Sequence, residues 1–310
     1  MANRNEILSK ISDYKNNGQD IIRRQYLKEL HEYTKNDTII YASAFPCNIP
    51  GVSGNILSIG LNDIHGFMSS LNGLKSERLD LILHSPGGSL EATEQLVQYL
   101  RAKYKYIRAI IPQNAMSAAT MLACACDEIV MGKHSAIGPI DPQMTLTRPN
   151  GVAYSLPAHS ILADFERAKV EISADVEAGK IWIPKLLEIP NGFLDLCKKT
   201  IELSKSKVAE WLDSYMFKNC DKNGQAIAEW LGDFNSHKTH GRPINYQLAL
   251  EKGLKITLLE DDQELQDKVL SVFHATLVTF DFITCVKIIE NHNGIGFYSV
   301  ANPPTLTIPQ

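Results

Sequence analysis

The chain has no uncharged apolar run that approaches membrane-spanning length. Its first seven residues, Met1 to Ile7, hold no apolar core of the size a secretion signal needs. Basic residues are in no excess: 31 lysines and arginines face 35 aspartates and glutamates, for a formal net charge of −4. A nucleic-acid binder usually carries a basic surplus, so that partner class is set aside. The six cysteines are scattered, mostly in apolar stretches, and none forms a CxxC pair. They read as buried free thiols in a reducing compartment. Internal repeats and low-complexity segments are also missing. These absences describe a soluble, cytoplasmic globular protein, and 310 residues suffice to bury a large core.

What is there is alternation. Residues 37–44 (DTIIYASA) read as a first buried strand. Asn62 is placed to cap a helix through Leu74, because Ile64, Phe67, Met68 and Leu71 recur at helical spacing. A strand at 79–84, a helix at 89–103, a strand at 107–111, a helix at 117–126 and a strand at 128–131 follow. Such a series predicts an α/β fold, with a parallel sheet and right-handed crossovers. A loop over 132–148 comes next, and from about 155 to 235 the pattern is mostly helical. Asn245 caps a helix that ends at Gly253, and residues 254–259 form another strand. Residues 262–275 read as helix, and 282–289 and 296–300 as closing strands. Residues 1–35 are expected as an N-terminal helical arm for an oligomer contact, 36–300 as the main body, and 301–310 as a loose tail.

Two joints carry chemistry. The apolar run 79–84 stops at Pro86, Gly87 and Gly88, and Ser89 opens an amphipathic stretch. A strand–glycine–helix joint leaves bare N–H groups at a helix N-terminus, where a negative oxygen can sit. Phosphate is excluded by pattern, since there is no GxGxxG and no lysine in P-loop register. Thirty residues on, Ser117 also opens a helix, framed by Ala115, Met116, Ala118 and Ala119. Taken alone, it fits an N-cap as well as a nucleophile. Two such helix starts at the carboxyl edge of one sheet point to acyl transfer through a serine. Residues 237–240 hold two histidines, but not the helical spacing or the carboxylate of a zinc motif, and no metal or cofactor is expected.

His84-Ser85-Pro86-Gly87-Gly88, Ala115-Met116-Ser117-Ala118-Ala119 and the stretch 135–142 (SAIGPIDP) together resemble the Clp/crotonase fold. The chain most resembles the serine dehydrogenase proteinase family of Clp-class serine peptidases, related to signal peptide peptidase A. The resemblance implies a superhelix of ββα units with a mostly parallel sheet, plus a helical oligomerisation region. It implies a homo-oligomeric serine endopeptidase acting on peptides or proteins. Ser117 matches the nucleophile, and the N–H groups of Gly87 and Ala118 match the oxyanion hole. Gly88, Met116 and Asp141 fall where an extended substrate would bind, in part by strand addition. The base stays open. Lys169 and His240 stand level, with His159 behind them. Where the Clp subunit carries a histidine, this chain has Ile140-Asp141, and Asp141 either orients a histidine or shapes a proline-rich turn. Two other readings use the same cleft: a crotonase-like enzyme acting on an acyl-CoA thioester, and a catalytically silent peptide-binding scaffold.

Overall fold

The computed structural model describes residues 1–45, 54–147 and 151–301. The predicted tail past Ala301, together with Cys47, lies outside the described residues. In chain order the strands are β1 (Asp37–Ser43), β2 (Arg78–His84), β3 (Tyr106–Ile111), β4 (Asn114–Ala115), β5 (Glu128–Met131), β6 (Ala136–Ile137), β7 (Gln143–Thr147), β8 (Ala153–Pro157), β9 (Ile256–Leu258), β10 (Cys285–Asn291) and β11 (Gly296–Val300). The helices are α1 (Arg4–Ser12), α2 (Gly18–Thr34), α3 (Gly54–Leu57), α4 (Asn62–Ser70), α5 (Leu90–Lys103), α6 (Ala118–Cys124), α7 (Ala158–Ala174), α8 (Gly179–Leu186), α9 (Phe193–Trp211), α10 (Gly224–Leu231), α11 (Phe234–His237), α12 (Tyr246–Glu251) and α13 (Gln263–Phe282).

Seven strands make one sheet in the order β11-β10-β1-β2-β3-β5-β9. The block β1-β2-β3-β5-β9 is parallel, as the alternation predicts. β10 and β11 close the edge antiparallel. Every residue of β1 is buried, because helices cover both faces. On one face, Ile39, Leu81, Ala109 and Ile129 meet apolar residues of α4, α5, α6, α9 and α10. On the other, Ile40, Ile82, Ile110 and Val130 meet α1, α2 and α13.

The N-terminal stretch is therefore part of this core. Ile7, Leu27 and Leu30 are fully buried on the second face, and Arg23 is buried against Glu290 of β10 at 2.7 Å. An arm was the expectation because the apolar stripe of α2 is interrupted by charge. One of those charges, Arg23, turns inward and finds its carboxylate on a strand 267 residues away.

Three local expectations shift. Asn62 begins α4 without capping it, since Leu61 holds the cap position and makes no side-chain bond, and the helix stops at Ser70. Residues 143–157, expected as loop and helix start, contain the antiparallel hairpin β7–β8. Met144 and Leu146 are buried between exposed threonines, a strand period too short to register in sequence. Helix α13 runs on to Phe282, so its closing strand starts three residues later, at Cys285.

Candidate active site

Both sequence-predicted joints lie at the carboxyl ends of β2 and β3. The end of β2 is tied to the strand preceding Ser117: Ser85 N–H donates to Asn114 O at 3.0 Å, and Met116 N–H donates to Ser85 O at 3.0 Å. Fully buried His84 completes the tie. Its Nδ1 accepts from the Asn114 N–H at 3.3 Å, and its Nε2 meets Phe45 O at 2.6 Å. Burial lowers the pKa of this imidazole, which keeps it neutral in a purely structural post.

Ser117 is not an ordinary helix cap. Its φ is 53° and its ψ −120°, and its hydroxyl makes no capping bond. A plain N-cap serine has extended backbone and bonds an N–H of the first turn. A β-carbon at positive φ is strained, by about 1–3 kcal/mol, and such strain concentrates at functional sites. The same sharp strand-to-helix turn lifts the nucleophile clear of its neighbours in serine hydrolases. The turn is clamped from behind: Thr120 Oγ1 donates to Ala115 O at 2.8 Å and accepts from Gly138 N–H at 2.9 Å. Met116, expected to touch substrate, instead packs its thioether against Gly138, where an added Cβ would lie 2.6 Å from the Met116 methyl.

Gly87 packs directly against this turn. A Cβ there would sit 2.7 Å from Ser117 Cβ and 2.9 Å from Ala118 N, and its φ is +98°. Only glycine allows that approach. Its own N–H, however, donates to Ser85 Oγ at 3.2 Å. Gly88 differs. Ile59 N–H donates to Gly87 O at 2.7 Å, and Ser89 N–H donates to Ile59 O at 2.9 Å. Strand geometry then turns the N–H and C=O of Gly88 away from Ile59. Of the two glycines, Gly87 supplies the close contact, and the N–H of Gly88 has no partner among the described residues. The segment around Ile59 is itself anchored by a buried ion pair: Lys287 Nζ donates to Ser58 O at 2.6 Å and meets Asp63 Oδ1 at 2.9 Å. No spacing in the sequence marks Lys287 or Asp63 for this task.

A cavity of about 420 Å³ opens in front of the joint. Gly87, Gly88, Ser117 and Ala118 line it, and so does His240. His240 Nδ1 lies 2.8 Å from Asp141 Oδ1, and Asp141 is fully buried. Ninety-nine residues separate the two, and the packing between them is direct. Ile137 and Ile244 exchange backbone bonds of 3.0 and 2.8 Å, pinning the loop before Asp141 to the loop after His240. Ile140 N–H donates to Leu231 O at 3.0 Å, and Ser204 Oγ donates to Ile140 O at 2.9 Å. Ile140, next to Asp141 in the chain, is thus held at both its N–H and its C=O. Being fully buried, Asp141 does not contact substrate as expected, and its carboxylate faces the imidazole.

The other two base candidates stand elsewhere. Lys169 lies on the outer face of α7, paired with Glu166 at 2.7 Å, with its side chain 58% exposed. It does not line the cavity. His159 faces a different hollow, shared with Lys205, Glu229, Trp230, Asp233 and Asn235. Burial, then Lys205, lowers its pKa. His237 turns from His240 toward Trp230 O at 2.8 Å, and no three metal-ligating side chains cluster among the described residues. Among those residues, too, no helix is long and apolar enough to cross a membrane.

A family model described as ClpP-like SDH-type serine proteinase matches residues 70–269. Two uncharacterized proteins of Methanocaldococcus jannaschii are each 30% identical to this chain, over 184 and 178 residues, or 59% and 57% of it. The matches take in 54% and 51% of those proteins, so the chain spans about half the length of the curated relatives it matches. Among solved structures, two mutants of the 1510-N membrane-bound stomatin-specific protease are similar, one of them in complex with a substrate peptide. They cover 68% and 73% of this chain and 79% and 74% of their own, at 17% and 19% identity and TM-scores of 0.38 and 0.36. At those scores they carry no weight for the site. The family match takes in well over half of the chain, and within it stand the glycine turn, Ser117, Asp141 and His240. The chain belongs to the family of ClpP-like SDH-type serine proteinases.

Proposed function

We propose that the chain is a serine peptidase with Ser117 as nucleophile, His240 as general base and Asp141 as the carboxylate that orients it. The observation that carries the reading is one cavity lined by both Ser117, in its strained turn, and His240, whose far nitrogen rests on buried Asp141. A carboxylate only accepts, so Nδ1 bears the hydrogen and Nε2 keeps its lone pair for the Ser117 proton. Ser117 Oγ attacks the peptide carbonyl and His240 takes its proton. His240 then returns the proton to the leaving amine, which departs as the C–N bond breaks. Water, deprotonated by the same imidazole, releases the acyl group. The oxyanion faces the N–H of Ala118 and of Gly88. Gly87, whose N–H is engaged by Ser85, makes room for both.

Met121, Ile140, Met144 and Leu196 line the same cavity, which suits an apolar side chain of a peptide substrate. Homo-oligomer formation is part of the proposal. Val170, Val176, Ile181 and Leu187 around α7 and α8 are each about two thirds exposed or more, as an interface would leave them in a single copy. A cytoplasmic setting is the final part, favoured by described cysteines that are all free thiols and mostly buried. The strain at Ser117 favours a nucleophile, and no observation favours the acyl-CoA or silent-scaffold readings. A fluorophosphonate probe tests the proposal. It should label wild type and fail on Ser117→Ala. Labelling that survives in His240→Ala at the wild-type rate would remove His240 from the mechanism.

A further inference from the structure

We propose that Gln143 is a positioning residue for the base, holding the second oxygen of Asp141 and thereby fixing how that carboxylate orients His240. This rests on the assignment of Ser117, His240 and Asp141 made above. The two oxygens of Asp141 are divided: Oδ1 meets His240 Nδ1 at 2.8 Å, and Oδ2 accepts from Gln143 Nε2 at 2.9 Å. Asp141 is fully buried, so solvent does not serve Oδ2. A buried carboxylate with an unserved oxygen is costly, and the amide is the donor that answers it.

Gln143 is also well held for this task. It opens β7 opposite Pro157 of β8, and the neighbouring Pro142 O accepts from Ala158 N–H at 2.9 Å. Gln143 also lines the cavity, so one residue touches both the carboxylate and the space a substrate fills. Other charged groups around this carboxylate are few. His159 of α7 senses Asp141 and sits beside Lys205 and Asp233, and Glu91 of α5 lines the same cavity as Gln143. None of them donates to Oδ2 among the described residues.

A neutral donor on Oδ2 spreads the charge of the carboxylate. Without it, the charge falls on Oδ1, and Asp141 holds an imidazolium more strongly than a neutral ring. The test is the rate of fluorophosphonate labelling of Ser117 against pH, for wild type, Gln143→Met and Gln143→Asn. Met keeps the length without the donor, and Asn keeps the amide one methylene short. The rising acid limb should move up by about half a pH unit or more in the Met variant, and by less in the Asn variant. The rate near pH 7 should fall several-fold, with circular dichroism unchanged. If Met does not fold, the Asn variant alone carries the test. Superimposable acid limbs in the folded variants would overturn the role of Gln143. Failure of the catalytic assignment gives a different result: no labelling of wild type, or labelling indifferent to His240→Ala.

Discussion

The Gly87→Ala substitution separates two costs that the structure keeps distinct. An alanine there meets a φ of +98°, which costs about 1–2 kcal/mol in an L residue. Its Cβ also lies 2.5 Å from Met116 O, 2.7 Å from Ser117 Cβ and 2.9 Å from Ala118 N. Two of those neighbours are backbone and cannot swing aside, and forced overlap in a packed site adds about 1–3 kcal/mol. Gly73 provides the control. Its φ is +77°, and nothing stands within 4 Å of its Cβ position. Gly73→Ala should therefore lose only the backbone share. In thermal melts, Gly87→Ala should fall by roughly 5–10 °C and Gly73→Ala by a few degrees, at about 2 °C per kcal/mol for a chain of this size. The contact at Gly87 displaces the Ser117–Ala118 backbone itself. Fluorophosphonate labelling should then fall about 100-fold or more, the scale of a lost oxyanion donor, while Gly73→Ala labels at the wild-type rate. Equal melting losses would refute the close packing of Gly87 on the serine turn. Wild-type labelling in Gly87→Ala would refute the oxyanion reading.

The remaining predictions address the serine, the base and the buried His84. Ser117→Gly should melt higher than Ser117→Ala: glycine relieves about 1–3 kcal/mol of strain and returns less than 1 kcal/mol in unfolded-chain entropy. Equal midpoints would mean that the turn is unstrained. His240→Ala and Asp141→Asn should each slow labelling by about 10³–10⁴-fold, with Lys169→Ala unchanged. A large loss on Lys169→Ala would make the exposed lysine the base after all. Stability should decline on acidification below about pH 6.5. The folded-state pKa of His84 is lowered by burial, so the unfolded chain takes up a proton first. The contribution is complete above the unfolded pKa and is lost as pH falls toward the folded one, at up to about 1.4 kcal/mol per pH unit. Urea unfolding at pH 7.5, 6.5 and 5.5 reads it, and an equal decline in His84→Gln would assign the effect elsewhere.

The parallel sheet was legible because each of its central strands is a short apolar run ended by glycine, proline or a capping residue, and those signals are local. The two joints were legible for the same reason: a glycine pair after one strand and small residues around a serine after the next. The hairpin β7–β8 was not, because only Met144 and Leu146 are buried in β7 and the period is barely repeated. The N-terminal helices read as an arm because the partner of Arg23 lies in β10, beyond the reach of any local pattern.

The base shows most sharply what local pattern omits. Asp141 sits among prolines, and in sequence a turn residue and a buried acceptor for histidine are the same letter. His240 sits in a polar loop, and nothing near it in the chain announces a carboxylate. Their meeting depends on the Ile137–Ile244 bridge and on the bond from Ile140 to Leu231, two long-range backbone contacts with no side-chain signature. The Ser117 backbone belongs to the same class of information. A serine framed by alanines reads equally as a cap or a nucleophile until its φ and ψ are known. At 53° and −120° it cannot act as an ordinary cap, and the turn that strains it is the one Gly87 packs against. Strain at one residue and the missing Cβ at another are therefore a single feature.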